Sequence, residues 1–261
     1  MKLEVIAAGR ATATRPTPLL LVHGAWHGAW AWQDGFSDAL AAAGYAVYAV
    51  SLRGHGGSDG RERLRATRIA DYVADVLAVS ATLPTAPVLI GHSMGGLVVQ
   101  KTAERHPTPA LVLLAPVPTS GALAAALRLA RRHPLVFARM NATLSLYPMV
   151  ATPALAREYL FSPHTPEATV AAVQPRLQDE SYRAFLDMIL KLPRPRRVSA
   201  PVRLLAGTAD AIFHHEEATR TARAYRTTAQ LYPGRGHNLM HEPGWEEVAA
   251  DVVAWLDGLG L

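Results

Sequence analysis

Along this chain, short uninterrupted apolar runs alternate with longer stretches whose apolar positions recur every three to four residues. The first kind reads as strands buried on both faces, the second as amphipathic helices. Expected strands are PLLLVHG (18–24), YAVYAVSL (45–52), PVLIGHS (87–93), ALVLLAP (110–116), PVRLLAG (201–207) and AQLYPG (229–234), and the amino-terminal MKLEVIAAGRATATRP is expected to hold another. Expected helices are WQDGFSDALAAAG (32–44), TRIADYVADVLAVSATL (67–83), GGLVVQKTAERH (95–106), EEATRTARAY (216–225) and GWEEVAADVVAWLDGL (244–259). In the last of these, Val248, Val252, Val253 and Leu256 share one face, so it should close the fold. Strand–helix alternation of this kind predicts the α/β class: a mostly parallel, doubly wound sheet covered on both sides.

The alternation stops after Pro116 and resumes near Pro201. Residues 119–197 read as helices punctuated by loops, with Thr152 before Pro153 and Thr165 before Pro166 marking helix starts. The expected organisation is a core of residues 1–118 and 198–261 interrupted by a helical cap, or lid, at 119–197. At 261 residues and 50% hydrophobic content, the chain fits one large globular domain.

Charge changes this picture little. The net +5 is concentrated in the cap, which holds eleven Lys or Arg against five acids, so the remainder is close to neutral. No groove-reading motif accompanies the arginines, and nucleic acid is not an expected partner. No apolar run approaches the roughly 20 residues that span a bilayer, and the start lacks the apolar core of a secretory signal. Cysteine is absent. Together these features fit a cytoplasmic protein; its oligomeric state is open. Eleven histidines invite a metal, but none shows H-E-x-x-H or comparable ligand spacing, so neither metal nor other cofactor is expected.

The chemistry gathers at strand ends. Gly91-His92-Ser93-Met94-Gly95 matches G-x-S-x-G between a strand and a helix, the setting of a nucleophile elbow. By composition the bare motif arises by chance in roughly one chain of this length in ten, so its partners decide the matter. A serine hydroxyl needs a base to take its proton, and His237 in YPGRGHNLMHEP follows the last strand; His241 is its competitor. The base needs an orienting acid, and Asp210 stands just past the strand PVRLLAG. Ser93, Asp210 and His237 occur in the chain order expected for this sheet. Backbone N–H groups of Met94, after the serine, and of Ala25, in the loop LLLVHGAWHGAW, are the expected oxyanion hole.

These segments, VHGAWHGAWAW, SLRGHGGSDG, GHSMGG, GTADAIF and GRGHNLMHEP, resemble the α/β-hydrolase superfamily over nearly the whole chain. HGAWHGAWAW is similar to the methylesterase and hydroxynitrile lyase branch. LRGHGGSDG and the long cap are more like bacterial carboxylesterases and monoacylglycerol lipase or lysophospholipase-like members. The resemblance implies a cofactor-independent serine hydrolase that cleaves small-molecule carboxylic esters through an acyl-enzyme. Ser93 stands where epoxide hydrolases and dehalogenases carry aspartate, and Asn238 where hydroxynitrile lyases carry lysine. A lactonase, for instance on acyl-homoserine lactones, and a slow-turnover ligand receptor on the same scaffold are the alternatives. Trp26, Phe213 and Asn238, beside the expected catalytic loops, are candidate pocket residues. Met140, Leu144, Leu146 and Tyr147 of the cap are candidates for an acyl-chain wall, favouring medium-chain or longer esters. His23, His55 and His92 are expected to support loop backbones.

Overall fold

The computed structural model describes residues 1–261. Seven strands form one sheet: β1 (Val5–Ala8), β2 (Leu19–Val22), β3 (Val47–Val50), β4 (Val88–His92), β5 (Leu111–Leu114), β6 (Val202–Gly207) and β7 (Ala229–Tyr232). Their spatial order is β1-β3-β2-β4-β5-β6-β7, with β1 antiparallel to β3 and every other pair parallel. Every residue of β2, β4 and β5 is buried, which is why these strands read as unbroken apolar runs rather than as alternating ones.

Successive side chains of a strand point to opposite faces, and the core divides accordingly. Leu20 and Val22 of β2 join an apolar cluster on one face, while Leu19 and Leu21 join a second cluster on the other. Helices α1 (Phe36–Ala42) and α10 (Trp245–Asp257) cover the second face. Helices α2 (Ile69–Ser80), α3 (Ser93–Ala103) and, later in the chain, α9 (His215–Ala224) cover the first. Thus the adjacent parallel strands β2 and β4 send their following helices to opposite faces. That reversal opens a crevice beyond their carboxyl ends, where open α/β sheets bind ligands.

Between β5 and β6 lie five helices and no strand: α4 (Leu123–Arg132), α5 (Pro134–Thr143), α6 (Pro153–Leu160), α7 (Glu167–Val173) and α8 (Tyr182–Leu190). Their apolar faces belong to the same cluster as β2, β4 and α3. Thr152 caps α6 as expected, its hydroxyl accepting from the Leu155 N–H at 3.2 Å. Thr165 does not cap α7. Pro166 takes the capping position, and the Thr165 hydroxyl donates instead to Glu242 at 2.7 Å, because a buried carboxylate outcompetes a solvated helix end. The helix expected from residue 32 also starts later, at Phe36. Gly35 sits at φ +108° with the Trp245 ring pressed where a Cβ would be, a turn that only glycine accommodates. No helix is long and apolar enough to cross a membrane.

Candidate active site

β4 delivers Ser93 into the crevice. Its φ of +52° is rare for a residue with a side chain, a strain of about 1–3 kcal/mol that persists only where the surroundings over-determine it. Two glycines do so here. A Cβ at Gly91 would lie 2.5 Å from the Gly95 carbonyl oxygen, and one at Gly95 would press into the Val22 and His23 carbonyls. The sharp turn therefore brings α3 hard against β2 and β4, and leaves the Ser93 side chain at the wall of a cavity.

Asp210 follows β6 and is buried. Its Oδ1 accepts from the N–H groups of Ile212 and Phe213 at 2.8 and 2.9 Å. Its Oδ2 lies 2.8 Å from Nδ1 of His237, which follows β7. With both backbone donors on one oxygen, the other is left for the imidazole. The His237 Nδ1 proton is committed to Asp210, so Nε2 carries the lone pair; it is buried and has no partner in the chain. From behind, His92 Nε2–H donates to the His237 carbonyl at 3.1 Å, and the Phe213 ring meets the imidazole edge-on. A neutral imidazole aimed this way can accept a proton from a hydroxyl. His241 is not so placed: it stacks on Trp30, and burial lowers its pKa to about 4.

Met94 and Ala25, the expected oxyanion donors, follow β4 and β2 respectively. Met94 lies in the first turn of α3, where backbone donors lack intrahelical partners. Ala25 follows β2 and lines the cavity, and its N–H takes no backbone partner. The next residue, Trp26, is held at φ +68° by its own indole, which donates to the Leu146 carbonyl at 3.2 Å, and by Gln178 N–H on its carbonyl at 3.0 Å.

The cavity offers about 60 Å³ of room for a water-sized group, and thirteen of its fourteen lining residues are apolar; Ser93 is the exception. Trp26, Met140, Leu146 and Phe213 line it, as the sequence led one to expect. Three candidates do not. Leu144 ends α5 in a left-handed turn and is 49% exposed, so its side chain faces solvent rather than the cavity. Tyr147 stands off the wall because Asp179 accepts its N–H at 3.1 Å and fixes the turn. Asn238 is buried behind the site, its side chain bonded to His27. Sequence reasoning also missed half of the wall. Ala122, which caps α4, and Ala125, Ala126 and Leu129 within it line the cavity at helical spacing, opposite the exposed Leu123 and Leu127. That stripe was available as a signal, but alanine reads as filler in any helix.

His23 and His92 support loops as expected. His23 takes the Leu52 N–H on Nε2 at 3.0 Å. His55 does more. Its Nδ1 donates to the Arg53 carbonyl at 3.1 Å, and Nε2 meets Glu180, from the helical segment between β5 and β6, at 3.0 Å, both side chains wholly buried. Burial opposes the charged imidazole, but the Glu180 carboxylate and these hydrogen bonds outweigh it and raise the His55 pKa above 6.5. Tyr72 donates to the same carboxylate at 2.6 Å. Because the folded value exceeds the unfolded one, the pair stabilises fully below the unfolded pKa and fades as pH rises through the folded one. The thermal stability advantage of the native chain over Glu180→Gln should therefore be largest in mildly acidic buffer and shrink toward alkaline pH. A gap independent of pH would remove the ion pair as its cause. No cluster of three or more potential metal-ligating side chains is present.

A profile of the Alpha/beta hydrolase family matches residues 19–252. Among curated proteins, protein phosphatase methylesterase 1 of Bos taurus is 37% identical over 97 residues, 36% of this chain and 26% of that protein. Methylesterase 3 of Arabidopsis thaliana is 34% identical over 96 residues, 36% of each. The matched stretch thus spans only about a quarter to a third of these relatives' own length. Among solved structures, the monoacylglycerol lipase of Paleococcus ferrophilus superposes with a TM-score of 0.73 at 27% identity, covering 99% of this chain and 100% of that one. A thermophilic esterase of Thermogutta terrifontis gives 0.78 at 21% identity over 99% and 94% of the two chains, a likeness of fold alone.

Proposed function

The chain belongs to the alpha/beta hydrolase family, and from that premise we propose that it hydrolyses neutral carboxylic esters through a Ser93 acyl-enzyme, with residues 119–197 acting as its cap. The observation that carries this reading is the pairing of His237 Nδ1 with Asp210, which leaves a buried Nε2 without a partner in the chain, alongside Ser93 in its strained turn after β4. His237 Nε2 takes the Ser93 proton as Oγ attacks the ester carbonyl, and the Ala25 and Met94 N–H groups receive the developing oxyanion. His237 then protonates the departing alkoxide. In the second half-reaction it deprotonates water, which attacks the acyl-enzyme and returns Ser93. Asp210 stabilises the imidazolium in both halves and keeps it oriented.

The cavity supports a substrate with an uncharged, apolar acyl group of medium length or longer. Its wall offers no charged side chain and no polar one besides Ser93. An acyl-homoserine lactone would bury its amide there without a partner, a cost of roughly 1–3 kcal/mol, which favours simple esters over that lactone class. Each methylene buried contributes about 0.8 kcal/mol, so kcat/KM for p-nitrophenyl esters should climb about fourfold per added CH2 until the chain reaches the far wall. Ala126→Phe should bring that optimum to shorter chains by filling the α4 side. A fluorophosphonate should label the folded protein at Ser93. Failure to label would overturn the activated-serine reading, and a flat chain-length profile would overturn the acyl-cavity reading.

A further inference from the structure

We propose that His27 and Asn238 form a positioning pair that holds the Ala25 loop in register with the loop carrying His237. The proposal rests on the reading of Ser93, His237 and the Ala25 N–H given above. His27 is fully buried two residues beyond Ala25. Its Nδ1 lies 2.6 Å from the Ala25 carbonyl oxygen, and its Nε2 lies 3.2 Å from Nδ2 of Asn238. A carbonyl can only accept and an amide nitrogen can only donate. Both contacts are therefore satisfied by one species, the neutral imidazole protonated on Nδ1. Burial, foremost, holds the His27 pKa down to about 3, so this species persists throughout the working range.

Asn238 is anchored by its own backbone. Its N–H donates to the Leu160 carbonyl of the cap at 2.8 Å, and its carbonyl accepts from the N–H groups of His241 and Glu242 at 2.7 and 3.2 Å. Its side chain makes the one hydrogen bond that joins the loop after β2 to the loop after β7. Through His27, that bond fixes the Ala25 carbonyl at the point where the chain enters the left-handed turn at Trp26. Without it, the turn rests on the Leu146 and Gln178 contacts of Trp26 alone, and the Ala25 segment before the turn loses its tie to the loop carrying His237. The pair thus sets the distance between the group that receives negative charge and the group that moves the proton. Neither residue touches the reacting atoms.

The test uses the full chain and p-nitrophenyl esters. His27→Ala and Asn238→Leu should each lower kcat about 30- to 100-fold, the scale of a displaced oxyanion donor, with KM within about threefold. The double variant should fall no further than the worse single one, because both remove the same link. His27→Gln supplies one donor and one acceptor from an amide and should recover most of the loss, which also covers the case in which His27→Ala does not fold. Fluorophosphonate labelling should slow in parallel, with the pH midpoint of its acid limb unchanged. Folded variants with kcat within threefold of the native chain, or strictly additive losses, would overturn the pair. If the native chain labels and His27→Ala labels equally fast, the pair alone fails; if the native chain does not label, the reading of Ser93 fails with it.

Discussion

Ser93→Ala should lower kcat for p-nitrophenyl esters by about a millionfold, the loss seen when the nucleophile of a serine triad is deleted, while leaving the fold intact. The residual rate should come from the oxyanion donors and binding alone. Stability should not fall, for a physical reason. Ser93 is held at φ +52°, and its hydroxyl forms no hydrogen bond within the chain. Alanine keeps the Cβ and the turn, and removes a cavity-facing hydroxyl that contributes no hydrogen bond to the fold. The expected result is therefore an inactive protein whose thermal midpoint equals or exceeds that of the native chain. Retention of more than a thousandth of the activity would remove Ser93 as the nucleophile.

Asp210→Asn should cost about 10,000-fold in kcat, the scale of the same change in other triads, and here the surroundings dictate why. Oδ1 of Asp210 faces two backbone N–H groups, from Ile212 and Phe213. An asparagine in its place must turn its carbonyl oxygen toward those donors, because the opposite orientation sets NH₂ against N–H. The amide nitrogen then faces His237 Nδ1 and can only donate. His237 is driven into the tautomer protonated on Nε2, which presents a proton to Ser93 instead of a lone pair. Activity should return partially at high pH, as the serine's own ionisation substitutes for the base. A variant within tenfold of the native rate at neutral pH would show that Asp210 does not set the tautomer.

The catalytic candidates were legible because each sits at a punctuation mark. Ser93, Asp210 and His237 each follow a strand of unbroken or nearly unbroken apolar residues, and a parallel sheet brings such ends to one edge whatever the intervening sequence. The sheet itself was readable for the same reason. The cap was not legible in detail. Which face of a cap helix looks inward depends on how five helices pack together, and residue type does not record it: Leu144 and Leu146 are equally apolar, yet one is in solvent and the other in the cavity wall. Thr165 precedes a proline just as Thr152 does, but only tertiary structure brings Glu242 to it. The link from His27 to Asn238 left no mark in the sequence, since it spans more than two hundred residues.

The apolar cluster shared by the sheet and the insertion has a thermodynamic meaning of its own. Met140, Leu146, Leu160 and Met188 of the insertion are packed into the same continuous core as Leu20, Val22 and Leu97, so melting the insertion exposes part of a core it shares with the sheet. Opening of the insertion should then cost more than the fraying of a loop, and native-state hydrogen exchange should show its buried amides protected together with those of the sheet. Admitting a substrate by swinging the insertion away would therefore uncover Met140, Leu146, Leu160 and Met188, whereas the breathing of individual side chains would not.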